Sequence, residues 1–247
     1  MPKDRDLKSN AIKEFSRFAH EYNNYHTIQA QVATYLLSTL EKKSYHTIID
    51  IGCGSGEVYK NSKALSLDFT RFIAIDSSSE MLALHPSDSS IEKQCKNFNT
   101  PHAFQNISSS EKDICISSSA LQWSQNLDFT FSHIHKVSTN IHFALFTSNT
   151  FKTLHYTAKI TSPIYSSEVL ESCISKYYKA QYEIKNYKLY FENTKDMLVY
   201  IKKSGVSGGE KRLSFKETKE LIQKYPLEYL EFEVLFVSGR KHSIPMN

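Results

Sequence analysis

Ile48-Ile49-Asp50-Ile51-Gly52-Cys53-Gly54-Ser55-Gly56 is the stretch whose reading decides the fold. A β-branched apolar run passes without a break into glycine at every second position. Upstream, Tyr45 to Ile51 reads as a short buried strand, of the kind found in parallel sheets covered on both faces. The glycines let the chain turn sharply at the strand's carboxyl end and let a ligand approach the backbone with no Cβ in the way. In open α/β sheets this edge is where ligands sit.

The same pattern recurs outward from this point. Phe72 to Asp76 is a second buried strand, followed by a helix from about Ser79 to Leu84 and a polar turn over Ser87 to Ser90. Asp113 to Ser118 and Ile141 to Thr147 are further strands, with helices expected around Asn126 to Lys136 and Ser167 to Ala180. Strands alternating with helices imply right-handed crossovers and a doubly wound parallel sheet. Tyr187 to Phe191 and Tyr229 to Gly239 could form an antiparallel pair at its end. Before the first strand, Ala11 to Leu40 is helical in period, with a break expected at Asn23-Asn24.

Composition narrows the function classes. The chain has 247 residues, 40% hydrophobic and 13% aromatic, which suits one large α/β domain with a packed core. Its formal net charge is +4, and basic residues cluster only briefly, at Lys202-Lys203 and Lys211-Arg212. That is a poor footprint for nucleic acid, and no such partner is expected. Cys53, Cys95, Cys115 and Cys173 show no ligand spacing, so neither disulfides nor a metal site are expected. The charged start Met1-Pro2-Lys3-Asp4-Arg5-Asp6 does not read as a signal peptide, and no run approaches the ~20 apolar residues of a membrane span. A reducing cytoplasm is the simplest compartment.

The glycine loop also discriminates between ligands. A dinucleotide fingerprint places its third glycine at the sixth position, but counting from Gly52 that position is Glu57. A carboxylate there repels a pyrophosphate and tolerates a zwitterionic amino acid bearing a sulfonium. Asp76, 20 residues beyond Gly56, ends the next strand where a carboxylate can accept both hydroxyls of a ribose. Its alternative role is a helix N-cap, and the two are compatible. Met81 and Leu82 fall where a side chain would pack beside an adenine. Ser117-Ser118-Ser119-Ala120-Leu121-Gln122-Trp123 follows the fourth strand, beside the amino-acid end of such a ligand. Trp123, the only tryptophan, fits either ordinary packing or an acceptor-facing role. Together these residues point to S-adenosylmethionine as cofactor.

From about Phe15 to Lys241 the chain resembles the biotin-pathway malonyl-acyl-carrier-protein O-methyltransferases. Phe15-Ser16-Arg17-Phe18-Ala19-His20-Glu21-Tyr22 resembles their F-x-R-x-A-x-x-Y opening, with Gln29 at a following glutamine. Asp50 to Gly56 matches D-x-G-C-G-x-G, Asp76-Ser77 with Met81-Leu82 matches D-x-S-x-x-M-L, and Ser117 to Trp123 looks like S-N-L-A-x-Q-W. Ile201-Lys202-Lys203-Ser204-Gly205-Val206 and Tyr225-Pro226-Leu227-Glu228-Tyr229 resemble two later motifs. The chain departs from the pattern at Asn97, where relatives carry an acid toward the adenine, and at Ser118, where they carry asparagine. Val137-Ser138-Thr139-Asn140 stands where a Pro-Gly-Gly turn is usual.

The resemblance implies a Rossmann-like class I methyltransferase fold: a mostly parallel seven-stranded sheet with an antiparallel last strand and a helical lid. It implies a single domain over 1–247, with lid 11–40, cofactor-binding core 44–150, helical, lid and late-strand segments 151–225, and final strand 226–241. The implied cofactor contacts are Tyr22, Asp50, Gly52, Gly54, Gly56, Asp76, Ser77, Met81, Asn97, Ser118 and Gln122. The implied reaction methylates the free carboxyl of a malonyl thioester, carried on an acidic acyl-carrier protein or on coenzyme A. Methylation of another small carboxylic acid, trans-aconitate-like, and a non-catalytic binding module are the alternatives. A carboxylate is already ionised at neutral pH, so no general base is expected and placement alone is required. Arg17, Tyr22, Trp123 and Lys202 are the candidates for holding the acceptor, and a surface ion pair is the other reading of Arg17. Tyr22→Phe is expected to lower turnover while leaving the melting temperature in place; a loss of melting temperature matching the loss of rate would mark Tyr22 as core.

Overall fold

A computed structural model describes residues 26–107, 110–203 and 213–242. The expected opening helix through Arg17 and Tyr22, the break at Asn23-Asn24 and the Ser204-Gly205-Val206 segment lie outside the described residues. Element by element, the order is α1 (Thr27–Ser38), β1 (Ser44–Ile51), α2 (Glu57–Ala64), β2 (Asp68–Asp76), α3 (Ser79–Leu84) and β3 (Ile91–Cys95). Then come β4 (Ile114–Ser118), α4 (Leu127–Val137), β5 (Asn140–Phe146), α5 (Lys152–Ala158), α6 (Ser167–Ile174), β6 (Tyr178–Tyr190), α7 (Thr194–Lys203), α8 (Phe215–Lys224) and β7 (Tyr229–Lys241).

The strands form one seven-stranded sheet in the order β3-β2-β1-β4-β5-β7-β6. β1 to β5 are parallel, and β7 runs antiparallel to both β5 and β6. From β1 the chain first winds outward through β2 and β3, then returns to the other side of β1 for β4 and β5. The reversal opens a crevice between the carboxyl ends of β1 and β4.

Both faces of the sheet are buried, which explains the continuous apolar runs of the inner strands. Ile48, Phe72, Ala74, Ile114 and Ile116 face a core with α1, α2 and the later α5, α7 and α8. Ile49, Ile51, Ile73, Ile75 and Cys115 face the opposite core, closed by Phe131 and Ile134 of α4 and Leu170 and Ile174 of α6. No described helix is long and apolar enough to cross a membrane.

Three elements differ from the sequence reading. The helix expected over Ser167 to Ala180 stops at Ile174, and Tyr178 to Ala180 already belong to β6. Tyr178 is completely buried, its hydroxyl donates to Ser138 O at 3.1 Å, and its backbone pairs with Lys241. Tertiary burial there overrides a locally helical period. Of the expected Tyr187 to Phe191, Tyr187 to Tyr190 pair antiparallel with β7, Tyr187 lying opposite Phe232, but they are only the end of a 13-residue strand. β3, an outer strand of partly exposed polar residues, carries no apolar run that would announce it.

His142 on β5 ties the sheet to α1. It is 4% exposed, and its Nε2 lies 2.7 Å from Leu36 O and 3.1 Å from Thr39 Oγ1, joining the helix-end carbonyl to which the Thr39 hydroxyl also donates. Burial pushes its ring below the usual histidine range. Below about pH 6.5 the unfolded chain takes up a proton that the folded chain refuses. Stability therefore falls as pH drops through that range, by at most about 1.4 kcal/mol per pH unit from this group. His142→Gln, which keeps a donor without a titration, is expected to flatten part of the acid limb of a melting-temperature profile; an unchanged limb would refute the assignment.

Candidate functional site

The loop after β1 is held by bonds to β2 and β4. Gly52 and Cys53 N–H donate to Ile75 O at 2.8 and 3.0 Å, and Ser117 Oγ donates to Ile51 O at 2.7 Å. Ser119 N–H donates to Ala144 O of β5 at 2.9 Å. These bonds lace together the carboxyl ends of β2, β1, β4 and β5.

Within the loop the glycines have different reasons. Gly52 has φ +73°, and a Cβ built on it would lie 2.2 Å from Ala120 Cβ. The glycine loop and the loop after β4 thus touch at a point where no side chain fits. Gly56, at φ +90°, starts α2 against Pro86 and His85. Gly54, at φ +52°, is open by comparison, with only Met81 Cε at 3.3 Å from its built Cβ. Met81 is buried, so the residue expected beside an adenine is the one that lies against the open side of the loop.

Asp76 is half-buried at the end of β2 and turned toward the loop, its Oδ2 accepting from Gly54 N–H at 2.9 Å and its Oδ1 from Ser78 N–H at 2.8 Å. Burial raises its carboxyl above the usual range, and backbone bonds from Ser78, Gly54 and Ser77 oppose the rise. The N-cap of α3 is Ser78, whose side chain accepts from Met81 N–H, so the capping role does not fall to Asp76. Glu57 begins α2 and pairs with Lys60 at 2.8 Å and His26 at 3.8 Å.

A set of buried acceptors converges on the crevice. Asp50 Oδ1 and Oδ2, Ser55 Oγ, Ser118 Oγ, Ser119 Oγ and Gln122 Oε1 are all buried and have no hydrogen-bond partner. Gln122 Nε2 donates to Ser119 O at 2.7 Å, which fixes the amide with its oxygen unused. Ser119 sits at φ +61°, a left-handed conformation that few non-glycine residues adopt. Burying so many unpaired acceptors is costly unless a ligand with donors fills the space.

The structure brings Asp50, Gly52, Gly54, Gly56, Asp76, Ser77, Met81, Ser118 and Gln122 to this one edge. Asn97, just past β3, accepts from Asn99 N–H at 2.9 Å through its Oδ1, whose second lone pair can take another donor. Trp123 is 5% exposed, in a short 3-10 turn, Leu121–Trp123. Lys202 is exposed on the last turn of α7, apart from the contacts that join the two loops. Arg17 and Tyr22 lie outside the described residues. Sequence reading missed Ser55, Ser119 and Ala120. The alanine beside a serine run was the available signal for Ala120; the left-handed serine has none.

Residues 49–140 match the family model described as a methyltransferase domain. The sheet is that of the class I methyltransferase fold, and the matched stretch holds its glycine loop and runs from the end of β1 through β4. The chain's cofactor is S-adenosylmethionine, and the crevice suits it, its unpaired acceptors complementing a ligand that carries an ammonium and hydroxyls. Two curated relatives carry the name malonyl-(acyl-carrier protein) O-methyltransferase. That of Acetivibrio thermocellus is 26% identical over 268 positions, covering 92% of each chain. That of Bacillus cytotoxicus is 28% identical over 151 positions, covering 58% of this chain and only about half, 52%, of the relative. Among solved structures, the YcgJ protein of Bacillus subtilis superposes with a TM-score of 0.62 at 13% identity, over 87% of this chain and 99% of that one.

Gly52→Ala is expected to cost about 2–4 kcal/mol of stability, because the new methyl meets Ala120 and the left-handed φ is strained. Gly54→Ala should cost only about 1 kcal/mol yet weaken cofactor binding at least tenfold. Denaturant melts and S-adenosylhomocysteine titrations separate the two effects, and equal stability losses would contradict the division.

Proposed function

We propose that this methyltransferase is a carboxyl O-methyltransferase whose acceptor is the free carboxylate of a malonyl thioester, on an acyl-carrier protein or coenzyme A. The observation that carries the reading is the end-to-end match to the Acetivibrio thermocellus enzyme of that name, over 92% of both chains. It is supported by the opening, middle and late motifs quoted above, which lie outside the glycine loop common to many methyltransferases. The pathway served would be the early pimeloyl branch of biotin synthesis, in the cytoplasm, where masking the charge lets elongation enzymes accept the ester as a primer.

When bound, S-adenosylmethionine supplies an electrophilic methyl group. The chain's residues have a modest remaining task. Asp76 and Ser77 hold the ribose, Met81 flanks the adenine with Asn97 at its amine, and Asp50, Ser118 and Gln122 receive the amino-acid end. The glycines Gly52, Gly54 and Gly56 keep side chains out of the way. The acceptor carboxylate is ionised at neutral pH, so no side chain has to remove a proton. What the site must do is align the carboxylate and exclude water. Tyr22 and Trp123 are assigned to closing the site, and Arg17 or Lys202 to holding the acceptor charge. An acidic carrier would be drawn by the net charge of +4.

Incubating the full chain with isotope-labelled S-adenosylmethionine and malonyl-carrier protein, malonyl-coenzyme A or trans-aconitate is expected to give labelled malonyl methyl ester. Mass spectrometry of the products decides it. Label in aconitate alone would move the acceptor to another acid; cofactor binding without any labelled product would favour a non-catalytic module.

A further inference from the structure

Asp50 is the penultimate residue of β1, opposite Ala74 on β2 and Ile116 on β4, on the face of the sheet that α1 covers. Its relative exposure is 0%, and neither carboxyl oxygen has a hydrogen-bond partner among the described residues. The described groups around it give it no counter-charge. From β2 comes Asp76, a second carboxyl; from β4 comes the Cys115 thiol and from the loop the Cys53 thiol, both pushed up by burial and by Asp50. The buried residues of α1 and α2 that pack above are uncharged: Gln29 is the polar one on α1, and Ser62 on α2 donates to Val58 O. Lys93, whose charge reaches Cys53, is committed to Leu82 O, His85 O and Ser87 Oγ.

An ionised carboxylate with no partner at such a depth is among the costliest groups a fold can carry, and neutralisation by a proton is the cheapest relief. Burial first and Asp76 second hold the Asp50 carboxyl well above the usual carboxylate range. A cation brought into the crevice offers the other form of relief.

We propose that Asp50 is a neutral carboxylic acid in the free protein and gives up its proton to solvent when the α-ammonium of the cofactor's amino-acid end enters the crevice. The O–H bond breaks with its electron pair left on the carboxylate, the proton goes to buffer, and the ligand's positive charge takes its place. The site thereby selects for positive charge: a nucleoside without one finds a neutral acid, and an anionic nucleotide brings no charge that could replace the proton. This rests on the S-adenosylmethionine reading of the crevice.

Calorimetric titration of the full chain with S-adenosylhomocysteine, S-adenosylmethionine and adenosine, in buffers of different ionisation enthalpy from pH 5 to 8, tests it. For the two amino-acid ligands, the dependence of apparent enthalpy on buffer should report release of up to one proton, with affinity rising up to tenfold per pH unit where release is complete. Adenosine should bind without release, and Asp50→Asn should remove the release seen with the other ligands. Binding of S-adenosylhomocysteine with no proton exchange at any pH overturns the proposal and leaves the cofactor reading standing. Equal release from Asp50→Asn also overturns it. If none of the ligands binds, the cofactor reading fails and takes the proposal with it. The wild-type buffer series decides the point even if the variant does not fold.

Discussion

The bare α-carbon of Gly52 is the constraint on which the candidate site depends. Because nothing projects from it, the loop leaving β1 can lie against Ala120, and the loops after β1 and β4 become one surface. The bonds from Gly52 and Cys53 to Ile75, and from Ser117 to Ile51, then fix that surface to the strands on either side. Gly52 takes its left-handed backbone freely, and the left-handed Ser119 is the local strain this arrangement requires. Sheet packing on both faces supplies the rigidity to hold them.

Once the loops are joined, the electrostatics follow. Two carboxyls, Asp50 and Asp76, end up on adjacent strands, Asp76 two residues further toward the carboxyl edge, each acting on the surroundings of the glycine loop. Asp76 is stabilised by backbone N–H groups and keeps capacity to accept more, while Asp50 has no such support. The two acids therefore have different environments despite similar positions at the ends of neighbouring strands. Such divergence between paired acids is a common mark of a ligand site.

The central sheet was legible in the sequence because both its faces are buried. Asp50 apart, Ile48 to Ile51, Phe72 to Ile75 and Ile114 to Ile116 carry apolar side chains on either side, so no local choice competes with a buried strand. The glycine spacing and Asp76 were legible because each is a backbone or charge requirement fixed at one position. β3 and the first half of β6 were not, since their pairing is set by distant neighbours. Glu92 on β3 meets Arg71 on β2, and Tyr178 finds its place only against Ser138 and Lys241. The orphaned acceptors of Ser55 and Ser119 were invisible for the same reason: a hydroxyl's lack of a partner is a property of the folded surroundings.

The order of the last two strands has a consequence for how the chain can be assembled. β6 is made before β7, yet among the described strands its only bonded neighbour is β7, which separates it from β5. Through the synthesis of some forty intervening residues, the thirteen of β6 have no ladder to join, and lysines at 179, 185 and 188 guard them against pairing with strangers. The finished sheet therefore closes from its newest strand outward, and a chain stopped short of Tyr229 would forfeit two strands for the loss of one.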